Sequence, residues 1–311
     1  MAAPLPNWQA QPDWQAQPGP TLTSPIPPPL PSLVNARELR TQRIGRALRL
    51  WLPAGCLIAL LGLFFVFPLV YKLPSATNGS IIYNNEAPFS PGHLLGTDVQ
   101  GVDIFAQLVY GGRTTFEVAV GVTAIGWVIG GTIGVIAGYF GGWVDAVLSR
   151  VLDILIAFPA LVLALVIADG LGPSETHVIW ALAVFGIPAI GRVARGAVLT
   201  LRGLPFITAA QLAGTRRWRI IVRHLLPNIM PGIVTFSLLG IGVTIILEGA
   251  LDFLGYGIPS PQPSWGKMIA NGQQILSAQP EYVLIPSIAL LITVVALNVL
   301  GDALRERWGT Q

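Results

Sequence analysis

Little in this sequence can do covalent chemistry. Three histidines and one cysteine stand among 311 residues. His93, His177 and His224 lie far apart, and no Cys or carboxylate stands at ligand spacing beside them, so no metal site is expected. Gly266-Lys267 is the one Gly-Lys pair. Met268 follows it, and Pro261 occupies the place of the first P-loop glycine, so no nucleotide cradle is expected on this chain. No nucleophile–base pair is recognisable, and the reading is of a protein without catalytic residues or a bound cofactor. What remains is charge in unusual places. Glu117, Asp153 and Glu248 fall in or beside long apolar runs. A charge at mid-membrane costs about 2.5–3.5 kcal/mol on insertion scales, so each should face protein or water. They are candidates for structural pairing, for lining a hydrophilic path, or for proton coupling. Glu248, near the end of its run, is expected at the interface.

A second set of residues forms a basic, amphipathic interruption between two apolar runs, Thr208 to Pro227. Thr208, Ala209 and Ala210 are small residues at an expected helix start. Gly214 permits a turn or a C-cap. A second helix is expected over RRWRIIVRHLL, with Trp218, Ile221, Val222 and Leu225 on its apolar face and Leu226-Pro227 stopping it. Arg216 and Arg217 stand just beyond the turn. From the residues alone, this segment is either a helix lying on anionic lipid or a surface for a partner.

The elements that hold these residues are membrane helices. Hydrophobic residues make up 53% of the chain and charged ones 11%, against about a quarter charged in soluble domains. The net charge of +3 is no nucleic-acid signature, because the cations flank apolar runs. Six runs approach the ~20 residues needed to span a bilayer: about 51–71, 114–138, 151–168, 178–198, 229–251 and 282–301. Lipid leaves no backbone group unsatisfied, so each should be helical and the fold all-α. With the N-terminus inside, all but Lys72, Arg113 and Lys267 of the 18 Lys and Arg fall on the cytoplasmic side. That bias places both termini inside. Arg192 and Arg195, near the end of the fourth run, would have to snorkel.

Gly126, Gly130, Gly134 and Gly138 recur every four residues in the second run, one stripe of a helix. Such a stripe lets another backbone approach closely. Either a helix of the same chain or a second subunit would satisfy it. Residues 1–34 are a different regime, rich in Pro, Gln and Ala, with NWQAQP at 7–12 nearly repeated as DWQAQP at 13–18. They cannot bury enough apolar area to order, so 1–45 reads as a disordered tail with a basic lead-in, and 46–311 as the membrane domain. The first apolar run starts near Trp51, so no signal peptide is expected. The lone Cys56 reads as a small buried hydrophobe.

The 208–227 segment resembles the cytoplasmic loop of bacterial ABC importer permeases. That loop reads Glu-Ala-Ala, three residues, Gly, nine residues, Ile, one residue, Leu-Pro. Here Thr208-Ala209-Ala210, Gly214, His224 and Leu226-Pro227 stand at the same spacing, with Thr208 replacing the Glu. A histidine at the 224 place is usual in the peptide branch. LLGTDVQGVDIF at 94–105 is similar to a stretch of dipeptide, oligopeptide and nickel permeases, with Val102 where an Arg normally stands. Residues 137–165, 251–269 and 298–307 are also similar to that branch, and the likeness covers about 46–311. It points to the C-type permease subunit.

The resemblance implies a type I importer permease fold in the bacterial inner membrane. It implies a heterodimer with a second permease, two ATPase subunits and an extracytoplasmic solute-binding protein. ATP and Mg would be bound by the ATPases, not by this chain. The loop of Thr208, Ala209, Ala210, Gly214, Arg216 and Arg217 would couple hydrolysis to alternating access, with Trp218 tying it to the membrane helices. The 251–281 loop, presenting an exposed Trp265, would meet the binding protein. The implied solute is a di- or oligopeptide, with a nickel chelate or related small solute as the alternative. A stand-alone secondary transporter or channel is the reading from another class, supported by the three acids.

Overall fold

The computed structural model describes residues 36–277 and 279–309. Of the expected tail and lead-in, 1–45, residues 1–35 lie outside them, and 36–45 are helical, the start of Ala36–Leu61. Residues from Arg46 onward form one compact unit. Apart from two isolated bridges in the loop before the second span, the ordered structure among the described residues is helical.

Among the described residues, five helices are long and apolar enough to cross a membrane. They are α1 (Leu48–Val70), α2 (Ile104–Phe140), α5 (Glu175–Leu201), α7 (Arg217–Phe253) and α9 (Glu281–Trp308). A sixth span exists only as a bent pair, α3 (Gly142–Ile156) and α4 (Ala160–Leu171), which meet at 84°. The straight span expected over 151–168 is therefore corrected to an elbow. Pro159 is the reason: it has no N–H to continue the ladder, and it pushes Phe158 out of helical geometry. Two short helices, α6 (Pro205–Leu212) and α8 (Trp265–Gly272), sit in the connections at opposite ends of the bundle.

α7 also differs from expectation. Leu226-Pro227 does not stop the helix that starts at Arg217. The chain passes the proline by opening one wide turn, Ile221–Leu225, in which the Leu226 N–H bonds back to the Ile221 carbonyl. A π-type turn of this kind realigns the ladder, so the missing donor breaks nothing. The amphipathic face is rotated too. Ile220, Ile221 and Leu225 are buried, whereas Trp218 is 72% exposed.

The glycine stripe of α2 packs on α5 of the same chain. A Cβ on Gly130 would overlap the Ile187 carbonyl oxygen, and one on Gly134 would overlap that of Gly191. At Gly126 it would stand 2.7 Å from Ile190 Cδ1, and at Gly138 3.0 Å from the Arg195 carbonyl. All four glycines are buried within the chain, so the second-subunit alternative for this stripe is corrected. In lipid no hydrophobic force joins helices, so this backbone contact is what holds α2 and α5 together.

Around the pair, three apolar clusters fill the molecule. One joins Phe64, Phe116, Trp265, Met268 and Tyr282 at the loop end. A second sits under α4, around Leu182 and Leu251. The third gathers Val135, Ile190, Ile207, Ile220, Leu225 and Ile229 beneath α6.

Candidate functional site

Two ends of the bundle carry polar constructions. The first is the connection between α5 and α7. Pro205 starts α6 with a fixed φ, as suits a first helical turn. The helix ends at Gly214, which adopts φ +71. The Gly214 N–H bonds to the Gln211 carbonyl at 3.0 Å and the Thr215 N–H to that of Ala210 at 3.1 Å. This left-handed cap reverses the chain into α7, which starts three residues later at Arg217. One side of the hairpin is seated: Ile207 from α6 and Ile220 from α7 are both buried in the third cluster. The other side is bare. Thr208, Ala209 and Arg216 are exposed, and Leu212 is 85% exposed. Arg217 turns back, its guanidinium 5.8 Å from the Phe140 ring at the end of α2.

The hairpin stands on an ion-paired base. Arg195 grips Asp145 of α3 with two bonds of 2.5 and 2.7 Å. Arg192 donates to Asp153 at 2.6 Å, and Arg202 donates to the Gly138 carbonyl at 2.9 Å. Arg192 and Arg195, expected to snorkel, are thus also partnered by carboxylates, and Arg192 stays half exposed. Asp153 belongs to this base, away from the other two acids.

At the opposite end, the loop 71–103 folds against the segment after α7. Asp98 is its hub. Its Oδ1 accepts the Gln100 and Val102 N–H groups, both at 2.8 Å. Its Oδ2 accepts Gln107 Nε2 at 2.7 Å and the Tyr282 hydroxyl at 3.4 Å. Loop, α2 and α9 meet on that one carboxylate. Asp103 caps α2 by accepting the Ala106 N–H at 2.7 Å and pairs with His93 Nδ1, also at 2.7 Å. A polar cavity of about 450 Å³ lies beside this hub, lined by Asp98, Gln107, Lys267, Asn271 and Gln274.

Two expectations for this end are overturned. Trp265 is fully buried. Its ring stands edge-on to Phe64 at 5.4 Å, and its Nε1 donates to the Leu108 carbonyl at 3.0 Å. It anchors the loop inward and presents nothing to a partner, because the capping Ser264 starts α8 against α2 and turns the indole into the core. Glu248 is not interfacial but fully buried, with Thr115 Oγ1 3.4 Å from its Oε2. Its Oε1 has no hydrogen-bond partner among the described residues. One turn on, Asp252 accepts the Ile258 N–H at 2.6 Å and the Ser264 hydroxyl. Lys267 donates to Ser260 Oγ at 2.8 Å, and burial pushes its ammonium below the ordinary lysine range, against the pull of Asp252. Glu117 instead pairs along its own helix with Arg113 at 2.8 Å, partly exposed.

The three acids are therefore dispersed. Glu117 is on the flank of α2, Asp153 on the α3 base and Glu248 in the loop-end core. Asp98, Gln107, Tyr282, Asp252 and Leu212 were not singled out from the sequence. The spacing of Asp98 before a helix start was the one available signal, whereas Tyr282 and Leu212 gave none.

Comparison with known proteins accords with this architecture. Residues 130–308 match the family described as binding-protein-dependent transport system inner membrane component. The dipeptide transport system permease protein of Alkalihalophilus pseudofirmus is 40% identical over 69% of this chain and 70% of that protein. The glutathione transport system permease protein of Pectobacterium atrosepticum is 37% identical over 81% and 84%. The probable D,D-dipeptide transport system permease protein of Escherichia coli is 36% identical over 70% and 74%. Among solved structures, an inward-facing methionine ABC transporter aligns with a TM-score of 0.55 at 20% identity, over 65% of this chain and 96% of that one. The chain is a multi-pass inner membrane permease and belongs to the family of binding-protein-dependent transport system inner membrane components.

Proposed function

We propose that this chain is one of two permease subunits of an ATP-driven importer for di- or oligopeptides. The relatives named for dipeptide and glutathione transport support the solute class. One observation carries the mechanism. The α6–Gly214–α7 hairpin is rigidly seated on one side by Ile207 and Ile220 and offers small and apolar groups on the other. Such a hairpin suits a groove on a partner. Thr208 and Ala209 permit close approach, Leu212 supplies an apolar anchor and Arg216 a cation for partner acids. Two ATPase subunits would bind and hydrolyse ATP with Mg. Their closure would push on α6, and the buried isoleucines would pass the movement to α5 and α7 while the second permease completes the path.

Both termini then lie in the cytoplasm, with the hairpin on the same side. The loop 71–103 and the segment 254–280 face an extracytoplasmic solute-binding protein. The runner-up, a transporter working alone, loses its support as the three acids are dispersed and two of them are engaged in ion pairs.

The test is uptake of a radiolabelled dipeptide into proteoliposomes. Accumulation is expected only when the second permease, the ATPases, the binding protein and ATP are all present. Uptake by this chain alone would replace the proposal with secondary transport.

A further inference from the structure

Beside the hairpin runs an apolar cleft of about 280 Å³, lined by Trp127, Val135, Ile190, Trp218, Leu226 and Ile233 among others. Its residues on α7 run from Trp218 to Ile233. At ~1.5 Å per residue that is a slot of about 22 Å along the helix, starting at its first turn and descending into the span. Cations gather at one end only. Arg217 lies against Phe140, where α2 ends, and Arg219 follows Trp218. Arg216, Arg217, Arg219 and Arg223 make no ion pair within 4.0 Å among the described residues. Elsewhere in the molecule Arg113, Arg192 and Arg195 each have a carboxylate partner. Trp218, large and apolar, is left mostly uncovered at the mouth.

We propose that this cleft binds an anionic phospholipid, one acyl chain lying in the slot and the phosphate held at its basic mouth by Arg217 and Arg219. Charge complementarity selects this occupant. A partner helix would fill the apolar wall but leave the arginines unanswered, and a soluble acidic protein would answer the arginines but not the apolar slot, whose inner end at Met230 and Ile233 enters the expected span. A phospholipid does both with one molecule: its headgroup sits where helix ends meet water and its tail follows the helix inward. Trp218 fits the boundary between them, as amphipathic rings do at membrane interfaces. The lipid would bridge α2, α5 and α7 beneath the hairpin. The site is separate from the exposed face of α6 assigned above to the ATPase.

The full chain is reconstituted into nanodiscs with its second permease and ATPases. The nanodiscs hold graded fractions of phosphatidylglycerol or phosphatidylcholine brominated along the acyl chain. Quenching assigned to Trp218 is the difference between the wild type and Trp218→Phe. Half-maximal quenching is expected at a several-fold lower mole fraction of phosphatidylglycerol than of phosphatidylcholine. The preference should fall about fivefold for each of Arg217→Gln and Arg219→Gln. Arg217→Lys, which keeps the charge, should retain most of it. Equal quenching by both lipids would mean ordinary annular contact and would overturn the site. Quenching in the isolated chain but not in the assembly would mean that a partner subunit covers the cleft, and would overturn it equally. The wild-type comparison of the two lipids decides the matter even if an arginine variant fails to assemble.

Discussion

Gly134 of α2 rests against the carbonyl oxygen of Gly191 on α5, with no room for a methyl group between the two backbones. The same holds one turn earlier for Gly130 and Ile187. Neighbouring Gly131 faces open space among the described residues, so a methyl group there would meet nothing. The pair of positions makes a clean comparison. Gly130→Ala should lower the thermal midpoint in detergent, because overpacking at such a contact costs about 1–3 kcal/mol. Gly131→Ala should be neutral or raise it by the helix propensity gained, about 1 kcal/mol. Gly130→Leu and Gly134→Leu should abolish assembly. Equal midpoints for the two alanine variants, read by size-exclusion chromatography after heating, would show that α2 and α5 do not touch there.

Gly214 sits at φ +71 with open space around it. Any Cβ there is strained by about 1–2 kcal/mol without a clash in this chain. Gly214→Asp should leave the protein inserted but abolish uptake and loosen its hold on the ATPase. Gly214→Asn, which has the same shape and left-handed tolerance as Asp but no charge to bring into the partner groove, should retain more of both. A cysteine at Ala209 should crosslink to the ATPase. Normal transport by Gly214→Asp, with no crosslink from Ala209, would remove the hairpin from the mechanism.

Trp265 and Gln262 separate core from surface on one loop. Trp265→Ala should destabilise the chain by about 3–5 kcal/mol, since a large buried ring is lost. It should reduce expression more than affinity for the binding protein in the molecules that do fold. A cysteine at Gln262, which is exposed, should react with an impermeant thiol reagent from outside and be shielded by the binding protein. Reaction from the cytoplasmic face would invert the proposed orientation.

Glu248 distinguishes a structural acid from a proton carrier. Glu248→Gln keeps the shape and both polar atoms, so ATP-driven uptake should survive. Glu248→Ala leaves Thr115 without its acceptor beside a void and should destabilise by about 1–3 kcal/mol. A Glu248→Gln protein that folds normally but transports nothing would argue that a proton must come and go at this position.

Asp98 should fix the outer loop. Asp98→Ala orphans the Gln100 and Val102 amides and the Gln107 side chain together. Hydrogen exchange at 98–103 should accelerate while the far hairpin stays protected. Unchanged exchange would mean that Tyr282 and the apolar cluster hold the loop without the carboxylate.

The sequence by itself determined which segments lie in the membrane, because twenty apolar residues in a row have one stable solution in lipid. It also determined that Gly214 turns the chain, since the break in pattern there falls on a residue without a Cβ. The spacing Thr208-Ala209-Ala210, Gly214, Leu226-Pro227 made the family legible before any contact was known. Periodicity, however, locates a stripe and not its partner. The glycines of α2 announced a close backbone approach, and only the fold showed α5 as the other backbone. Pro227 predicts a stop, and Pro159 falls inside an expected straight span. In the structure α7 absorbs its proline in one wide turn, while the α3–α4 elbow bends by 84° at the other. A missing N–H is a local fact, but whether the chain bends depends on what each flank packs against. Burial was the least legible of all. Trp265 and Trp218 look alike in sequence, one after a serine and one between arginines. The first is in the core and the second at the surface because α8 is capped against α2, whereas α7 begins with Trp218 turned outward at the mouth of a cleft.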